Sequence, residues 1–75
     1  MEKGMLWFDD RKDISIEQKI NAAVLFYQQK YGGKPDRCTV NPTVTAGAIS
    51  KKLAGLRIEV SQYILPNHFL LEEDR

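Results

Sequence analysis

The chain has 75 residues, of which 43% are hydrophobic and 28% charged, and its formal net charge is +1. This balance excludes the disorder typical of highly charged, apolar-poor chains, and it lacks the basic excess of most nucleic-acid binders. A single cysteine excludes an intrachain disulfide, and no stretch approaches the roughly 20 apolar residues of a membrane span. We therefore expect one small domain, residues 1–75, in a soluble, cytoplasmic protein that does not enter a membrane.

The first candidate element is the short apolar run Met5-Leu6-Trp7-Phe8, which ends at Asp9-Asp10. Large apolar and aromatic residues favour a β-strand. Apolar side chains on both faces are typical of a strand that is covered on both sides, so the run predicts a central strand.

Ser15 to Tyr31 has the clearest periodicity in the chain and predicts a long α-helix. Ser15 and Gln18 have the spacing of a capping box, and Gly32-Gly33 provide a left-handed stop. Apolar residues recur at steps of three and four, which places them on one stripe facing a core. The stripe contains Ile16, Ile20, Ala23, Val24, Tyr27 and Tyr31.

Three apolar residues of this helix, Ala22, Leu25 and Phe26, fall outside the stripe. A helical wheel places Leu25 opposite the stripe and Phe26 about 80–100° to one side. Either a second helix or the chain ends cover them, or they form a self-association patch, since contiguous exposed apolar surface tends to mark an interface.

The middle of the chain predicts a strand followed by a second helix. Arg37 to Asn41 is rich in β-forming residues and ends at Pro42. The segment from Pro42 can open a helix, with Thr43 or Thr45 as its cap, and Gly55 would end it. One face of this helix would carry Ala46, Ile49 and Leu53.

The last third predicts a strand, a turn and a final strand. Leu56 to Ser61 alternates apolar and polar residues, as a half-buried strand does, and can extend to Tyr63. Leu65-Pro66-Asn67-His68 has proline and asparagine in favoured turn positions, and Phe69 to Glu72 follows as the last strand.

The element order is thus β-α-β-α-β-β, an α/β fold that could be classed α+β, with two helices and a mixed four-stranded sheet. The apolar Met5 to Phe8 run favours the spatial order 2-1-3-4, in which the first strand is central. The order 1-2-3-4 stays open and would leave one face of the first strand uncovered. In both orders the last strand is the antiparallel edge strand.

Ligands of open α/β sheets bind beyond the carboxyl ends of the parallel strands. The residues that the prediction delivers to that end are Asp9, Asp10, Asn41, Ser61, Gln62, Asn67 and His68. Asp9 and Asp10 could hold a divalent hard cation such as magnesium, with His68 or Asn67 orienting a water or a phosphate. The other interpretation, which we favour, is that the carboxylates cap the following turn and that His68 is an exposed turn residue.

Catalytic residues are not indicated. Cys38 lies within a predicted strand, away from any base or helix N-terminus that would activate it, so we expect a small buried side chain. No stretch has the spacing of a phosphate-binding loop or a zinc site.

We therefore expect a non-catalytic domain that binds a protein, first of all a second copy of itself. The homodimer would form through the helix flank (Ala22, Leu25, Phe26) or through an open sheet face that carries Trp7 and Tyr63. A metal or phosphate site is the alternative. A second alternative is nucleic-acid binding by an aromatic sheet face beside Arg37 and Arg57, which the near-zero net charge disfavours. The aromatic residues of that face would be Trp7, Phe8, Tyr63 and Phe69.

Overall fold

The structure is a computed structural model that describes residues 4–45, 52–53 and 55–73. Within these ranges the fold is a small α+β arrangement, with one α-helix packed on a mixed sheet of four main strands and one very short strand. The elements are β1 (Gly4–Phe8), α1 (Ile16–Tyr31), β2 (Arg37–Val40), a 3₁₀ turn (Pro42–Thr45), β3 (Lys52–Leu53), β4 (Leu56–Val60) and β5 (His68–Glu72).

The strands lie in the order β1-β5-β2-β4-β3. β2 and β4 are parallel, and β5 is antiparallel to both of its neighbours, β1 and β2. β1, β2 and β4 therefore share one direction, as expected, but both predicted orders are wrong. The last strand lies between β1 and β2 instead of at an edge, and β1 is an edge strand instead of a central one.

α1 begins and ends at the predicted signals. The Gln18 backbone N–H donates to Ser15 Oγ at 3.1 Å, and the Ser15 N–H donates to Gln18 Oε1 at 2.9 Å, which completes the capping box. Gly32 adopts a left-handed conformation with φ of 82°, and its N–H donates to the Gln28 carbonyl at 2.8 Å. Because this φ is disfavoured for residues with a Cβ, glycine is the residue that suits the helix end.

The core lies between the apolar stripe of α1 and one face of the sheet. Alternation along each strand sends every second side chain to α1, and each large apolar side chain buried there stabilises the fold by roughly 1.5–3 kcal/mol. The buried residues are Ile20, Ala23, Val24 and Tyr27 of α1 and Cys38, Val40, Leu56, Phe69 and Leu71 of the sheet. Around them pack Met5, Trp7, Ile16, Tyr31 and Ile58, which are partly buried.

The predicted second helix is not present where the structure can test it. Pro42–Thr45 forms a 3₁₀ turn, and Lys52–Leu53 is a strand that pairs antiparallel with β4. Gly55, with φ of 78°, lies in the turn of this small hairpin, so the glycine that was expected to end a helix instead turns a strand back on its neighbour. Ala46 and Ile49 lie outside the described residues.

The turn between β4 and β5 has the predicted chemistry. The His68 N–H donates to the Leu65 carbonyl at 3.1 Å. Asn67 has φ of 66°, the one positive φ among the described non-glycine residues, and it follows Pro66. Proline followed by a residue with positive φ is the combination that a type II turn requires.

Candidate functional site

The structure brings most of the seven residues expected at the carboxyl ends of the strands to one end of the sheet. The Asp9 N–H donates to the Asn67 carbonyl at 2.9 Å, and Phe8 is paired with His68. Asn41 follows β2 at the same end of the sheet, because β1 and β2 run in one direction with the start of β5 between them. Asp10 is exposed beside Asp9.

Asp9 is buried, and its carboxylate is already paired with the Arg11 guanidinium. Its carboxylate accepts from the Arg11 backbone N–H at 3.1 Å, from Nε at 3.0 Å and from Nη2 at 2.7 Å. The hydrogen bonds from the Arg11 side chain hold the pKa of Asp9 below its usual value, although burial acts in the opposite direction. Arg11 was not among the expected site residues; the spacing Asp-x-Arg was the signal that could have identified it.

Asn41 and His68 are also engaged in local structure. Asn41 Oδ1 accepts from the Thr43 N–H at 2.9 Å and from Thr43 Oγ1 at 2.6 Å, while Nδ2 donates to the Ile64 carbonyl at 2.8 Å. His68 Nδ1 lies 2.8 Å from the Pro66 carbonyl oxygen, and its ring lies 4.9 Å from the Phe8 ring between centroids. These side chains therefore stabilise the turns that carry them.

A metal centre does not follow from this arrangement. In the part of the chain that the structure describes, no group of three or more His, Cys, Asp or Glu side chains could hold a metal ion. The end of the sheet is built from turns whose polar groups satisfy one another, and Asp9 would have to leave Arg11 before it could bind a cation.

One exposed apolar surface surrounds β1. On the sheet face that turns away from α1, Leu6 is 59% exposed and Phe8 is 53% exposed. On the α1 side the ring of Trp7 lies 4.6 Å from that of Phe26, which is itself 50% exposed. We call Leu6, Phe8 and Phe26 the β1 surface, because they flank the edge strand on both sides.

Trp7 and Tyr63 do not share an open sheet face. Trp7 faces α1, since the alternation of β1 groups it with Met5 against the core. Its indole N–H is buried and has no acceptor among the described residues, so Trp7 contributes packing rather than polar recognition. Tyr63 is 86% exposed but lies in the turn after β4.

The helix flank that was expected to form a patch is at the surface. Leu25 is 57% exposed and Ala22 is half-buried. Phe26 joins this flank to β1 through its contact with Trp7. Phe26 is therefore the residue that the helix flank and the β1 surface share.

The other half of the open sheet face carries alternating charges. Arg37 lies 2.8 Å from Glu72 and 3.9 Å from Glu59, and Arg57 lies 3.2 Å from Glu59. The guanidinium groups are thus paired with carboxylates on the same face. Of the aromatic side chains considered for base stacking, Phe69 is fully buried in the core.

Cys38 is buried in β2 between Leu71 of β5 and Ile58 of β4. Burial raises the pKa of its thiol to about 12. A thiol with such a pKa is a poor nucleophile at neutral pH, which agrees with the expected packing role.

No protein-family model, curated protein or solved structure matches the chain. Within the described residues no helix combines the length and the apolarity that a membrane crossing requires.

Proposed function

We propose that the chain is a small, non-catalytic protein-binding domain whose first partner is a second copy of itself. The observation that carries this proposal is the β1 surface, where Leu6, Phe8 and Phe26 are each at least half exposed around one edge strand. Leu6 and Phe8 project from the same face of this strand, and exposed apolar patches tend to mark interfaces. A chain of 75 residues also gains stability when it oligomerises, because its own core is small.

The two alternative functions have weaker support. A metal ion or phosphate bound at this end of the sheet would have to displace Arg11 from Asp9. It would also need the Asn41 side chain, whose Oδ1 and Nδ2 are both already hydrogen-bonded. A nucleic-acid interface would need cationic side chains, but Arg37 and Arg57 lie against Glu72 and Glu59. A cytoplasmic location fits the buried free thiol of the single cysteine, because reducing compartments keep such thiols unoxidised.

Sedimentation equilibrium tests self-association. The protein concentration should run from about 10 µM to 1 mM, because interfaces of small area give weak dimers. We expect the weight-average mass to rise from one chain toward two. Phe8→Glu should hold the chain as a monomer over this range, because it places a charge in the β1 surface. Tyr63→Glu is the matched control: it changes an exposed aromatic residue outside that surface and should leave the association unchanged.

Leu25→Glu maps how far the interface extends over the helix flank. A loss of association in this variant would add the flank to the interface, provided that its unfolding midpoint is unchanged. A chain that remains monomeric at 1 mM would contradict the self-association proposal. Dissociation by Tyr63→Glu but not by Phe8→Glu would move the interface to the β4–β5 turn.

A further inference from the structure

The outer edge of β1 carries backbone hydrogen-bonding groups that β5 does not use. The β1–β5 register, extended by one residue beyond Phe8 and His68, places Asp9 opposite Asn67, and the Asp9 N–H donates to the Asn67 carbonyl at 2.9 Å. In an antiparallel ladder, hydrogen-bonded pairs alternate with non-bonded pairs, so Trp7 and Met5 are the next residues bonded to β5. Gly4, Leu6 and Phe8 therefore direct their N–H and C=O groups away from β5. The 2.9 Å bond from Tyr31 Oη to the Gly4 carbonyl agrees with this orientation.

The two edges of the sheet differ in how they are protected. At one edge, the described part of β3 has two residues, and short edge strands resist pairing with other chains. At the other edge, β1 has five residues, Gly-Met-Leu-Trp-Phe, with no charge and no proline. Natural edge strands are usually short or contain a charge or a proline, because an unprotected edge is a template for another strand.

We infer that two copies of this chain join by antiparallel pairing of β1 with β1 of the second copy, in the register centred on Leu6. The inference rests on the proposed self-association and specifies its geometry. In this register Leu6 lies opposite Leu6 of the second copy, and Gly4 lies opposite Phe8. Gly4, Leu6 and Phe8, which face outward, then each lie opposite an outward-facing residue of the second copy. If one strand were shifted by two positions, only two of the three would do so.

Gly4 supports this register. A Cβ at Gly4 would meet only Glu72 Cγ at 3.6 Å and the Leu71 carbonyl oxygen at 3.7 Å, so packing within the chain does not require glycine there. Across the two-fold axis, a position without a side chain leaves room for the ring of Phe8 to lie over the opposing backbone. Aromatic residues are known to stabilise strand pairs in this way when they lie opposite glycine.

The assembly is closed and uses the β1 surface on both sides. Pairing around a two-fold axis gives an isologous dimer, and among the described strands the two copies of β3 then form the outer edges. On the open face Leu6 meets Leu6 of the second copy, and Phe8 lies opposite Gly4. Phe26, which lies over Trp7, is carried to the junction between the two copies on the α1 side.

Disulfide cross-linking of single-cysteine additions tests the register in the full chain. Hydrogen-bonded antiparallel pairs have Cα atoms about 5.5 Å apart, which lies within the range of disulfides. Leu6→Cys should therefore cross-link with itself under mild oxidation. The native Cys38 does not compete, because it is buried.

A mixture of Gly4→Cys and Phe8→Cys chains, one of them isotopically labelled, should give the mixed dimer. Each variant alone should not cross-link, because two copies of position 8 would lie about 14 Å apart along the strands. Equal cross-linking of every combination would overturn the inference. If sedimentation shows a dimer but Leu6→Cys does not cross-link, the edge-pairing inference fails while the proposed self-association stands.

Leu6→Pro provides an independent test. Its N–H points away from β5, so proline removes no hydrogen bond within the chain, and proline is tolerated on the outward side of edge strands. We expect the dissociation constant of the dimer to rise by at least roughly tenfold, because proline removes the donor and places its ring at the edge. Leu6→Ala, which loses the side chain but keeps the N–H, should weaken the dimer less than Leu6→Pro. Equal effects of the two substitutions in folded proteins would overturn the inference.

Discussion

Asp9 is held at the end of β1 by Arg11, which donates three hydrogen bonds of 3.1 Å or less to its carboxylate. The Arg11 side chain is 54% exposed, whereas that of Asp9 is 4% exposed. The buried Asp9 carboxylate therefore depends on the exposed Arg11 side chain for its hydrogen bonds. The pair closes the turn between β1 and α1.

We predict that this pair makes the protein less stable in acid. Because the pKa of Asp9 is lowered in the folded state, its contribution is fully present above the ordinary aspartate pKa of 3.8 and is lost as pH falls through the lower, folded value. Asp9→Asn should reduce the free energy of unfolding by about 1–2 kcal/mol at pH 7, since Arg11 remains partly hydrated. Urea unfolding at pH 7 and at pH 3 measures the difference between the two proteins, which should shrink at the lower pH.

Asp10→Asn is the control for this prediction. Asp10 is the adjacent carboxylate but is exposed, so its substitution should change the free energy of unfolding by less than about 0.5 kcal/mol. A cost for Asp10→Asn as large as that for Asp9→Asn would show that general charge, and not the Arg11 pair, determines the acid sensitivity.

Cys38 should react with thiol reagents only when the protein unfolds. Its side chain is fully buried, and burial raises its pKa to about 12. An aromatic disulfide reagent at pH 8 should therefore label the native protein slowly, at a rate that rises with urea in parallel with the unfolded fraction. Rapid labelling in the absence of urea would show that β2 opens locally.

Substitution of the same residue tests how the buried thiol packs. Cys38→Ser places a hydroxyl among apolar neighbours and should cost about 1–3 kcal/mol of unfolding free energy. Cys38→Ala removes the sulfur but adds no polar group, so it should be the milder change. If urea unfolding showed that Cys38→Ser is more stable than Cys38→Ala, this result would contradict an apolar site.

The local elements were predictable because short-range chemistry determines them. The capping pair Ser15 and Gln18, the left-handed Gly32 and the turn at Pro66-Asn67 each depend on neighbours within a few residues. The same holds for the helix stripe, whose period is set by helix geometry alone.

The strand order was not predictable because apolar content does not distinguish a central strand from an edge strand with exposed apolar side chains. β1 has apolar side chains on both faces, and so does β5, yet β5 occupies the inner position with Phe69 and Leu71 fully buried. The choice between them depends on contacts distant in sequence. The Asp9–Arg11 pair differs, because the pattern of strand ends groups Asp9 with Asp10 and His68, whereas its actual partner is a cation two residues away.

The capping box should account for a measurable part of the stability of α1. Ser15→Ala removes the oxygen that accepts from the Gln18 N–H at 3.1 Å, and we expect a loss of about 1 kcal/mol. Gln18→Ala removes the return bond at 2.9 Å and should cost less, because that bond is exposed to water. In a double-mutant cycle measured by thermal or urea unfolding, the two losses should be less than additive. Strict additivity would contradict a reciprocal box.

Tyr31→Phe separates the stability of β1 from its proposed pairing. The substitution keeps the ring contact with Tyr27, at 4.7 Å between centroids, but removes the hydroxyl that donates to the Gly4 carbonyl. We expect the free energy of unfolding of the monomer to fall by about 0.5–1 kcal/mol. The dimer should not weaken, because Gly4 then presents its carbonyl to the second copy without a competing donor.

Tyr27→Phe is the matched control for this last prediction. It removes a bond from the phenol to Glu73 Oε1 at 3.0 Å, which is of similar length but involves no atom of β1. Both variants should therefore lower stability, measured by urea unfolding at a concentration where the chain is monomeric. Sedimentation should show unchanged association for Tyr27→Phe and unchanged or tighter association for Tyr31→Phe. Weaker association of Tyr31→Phe alone would mean that the hydroxyl orders the edge for the partner instead of competing with it.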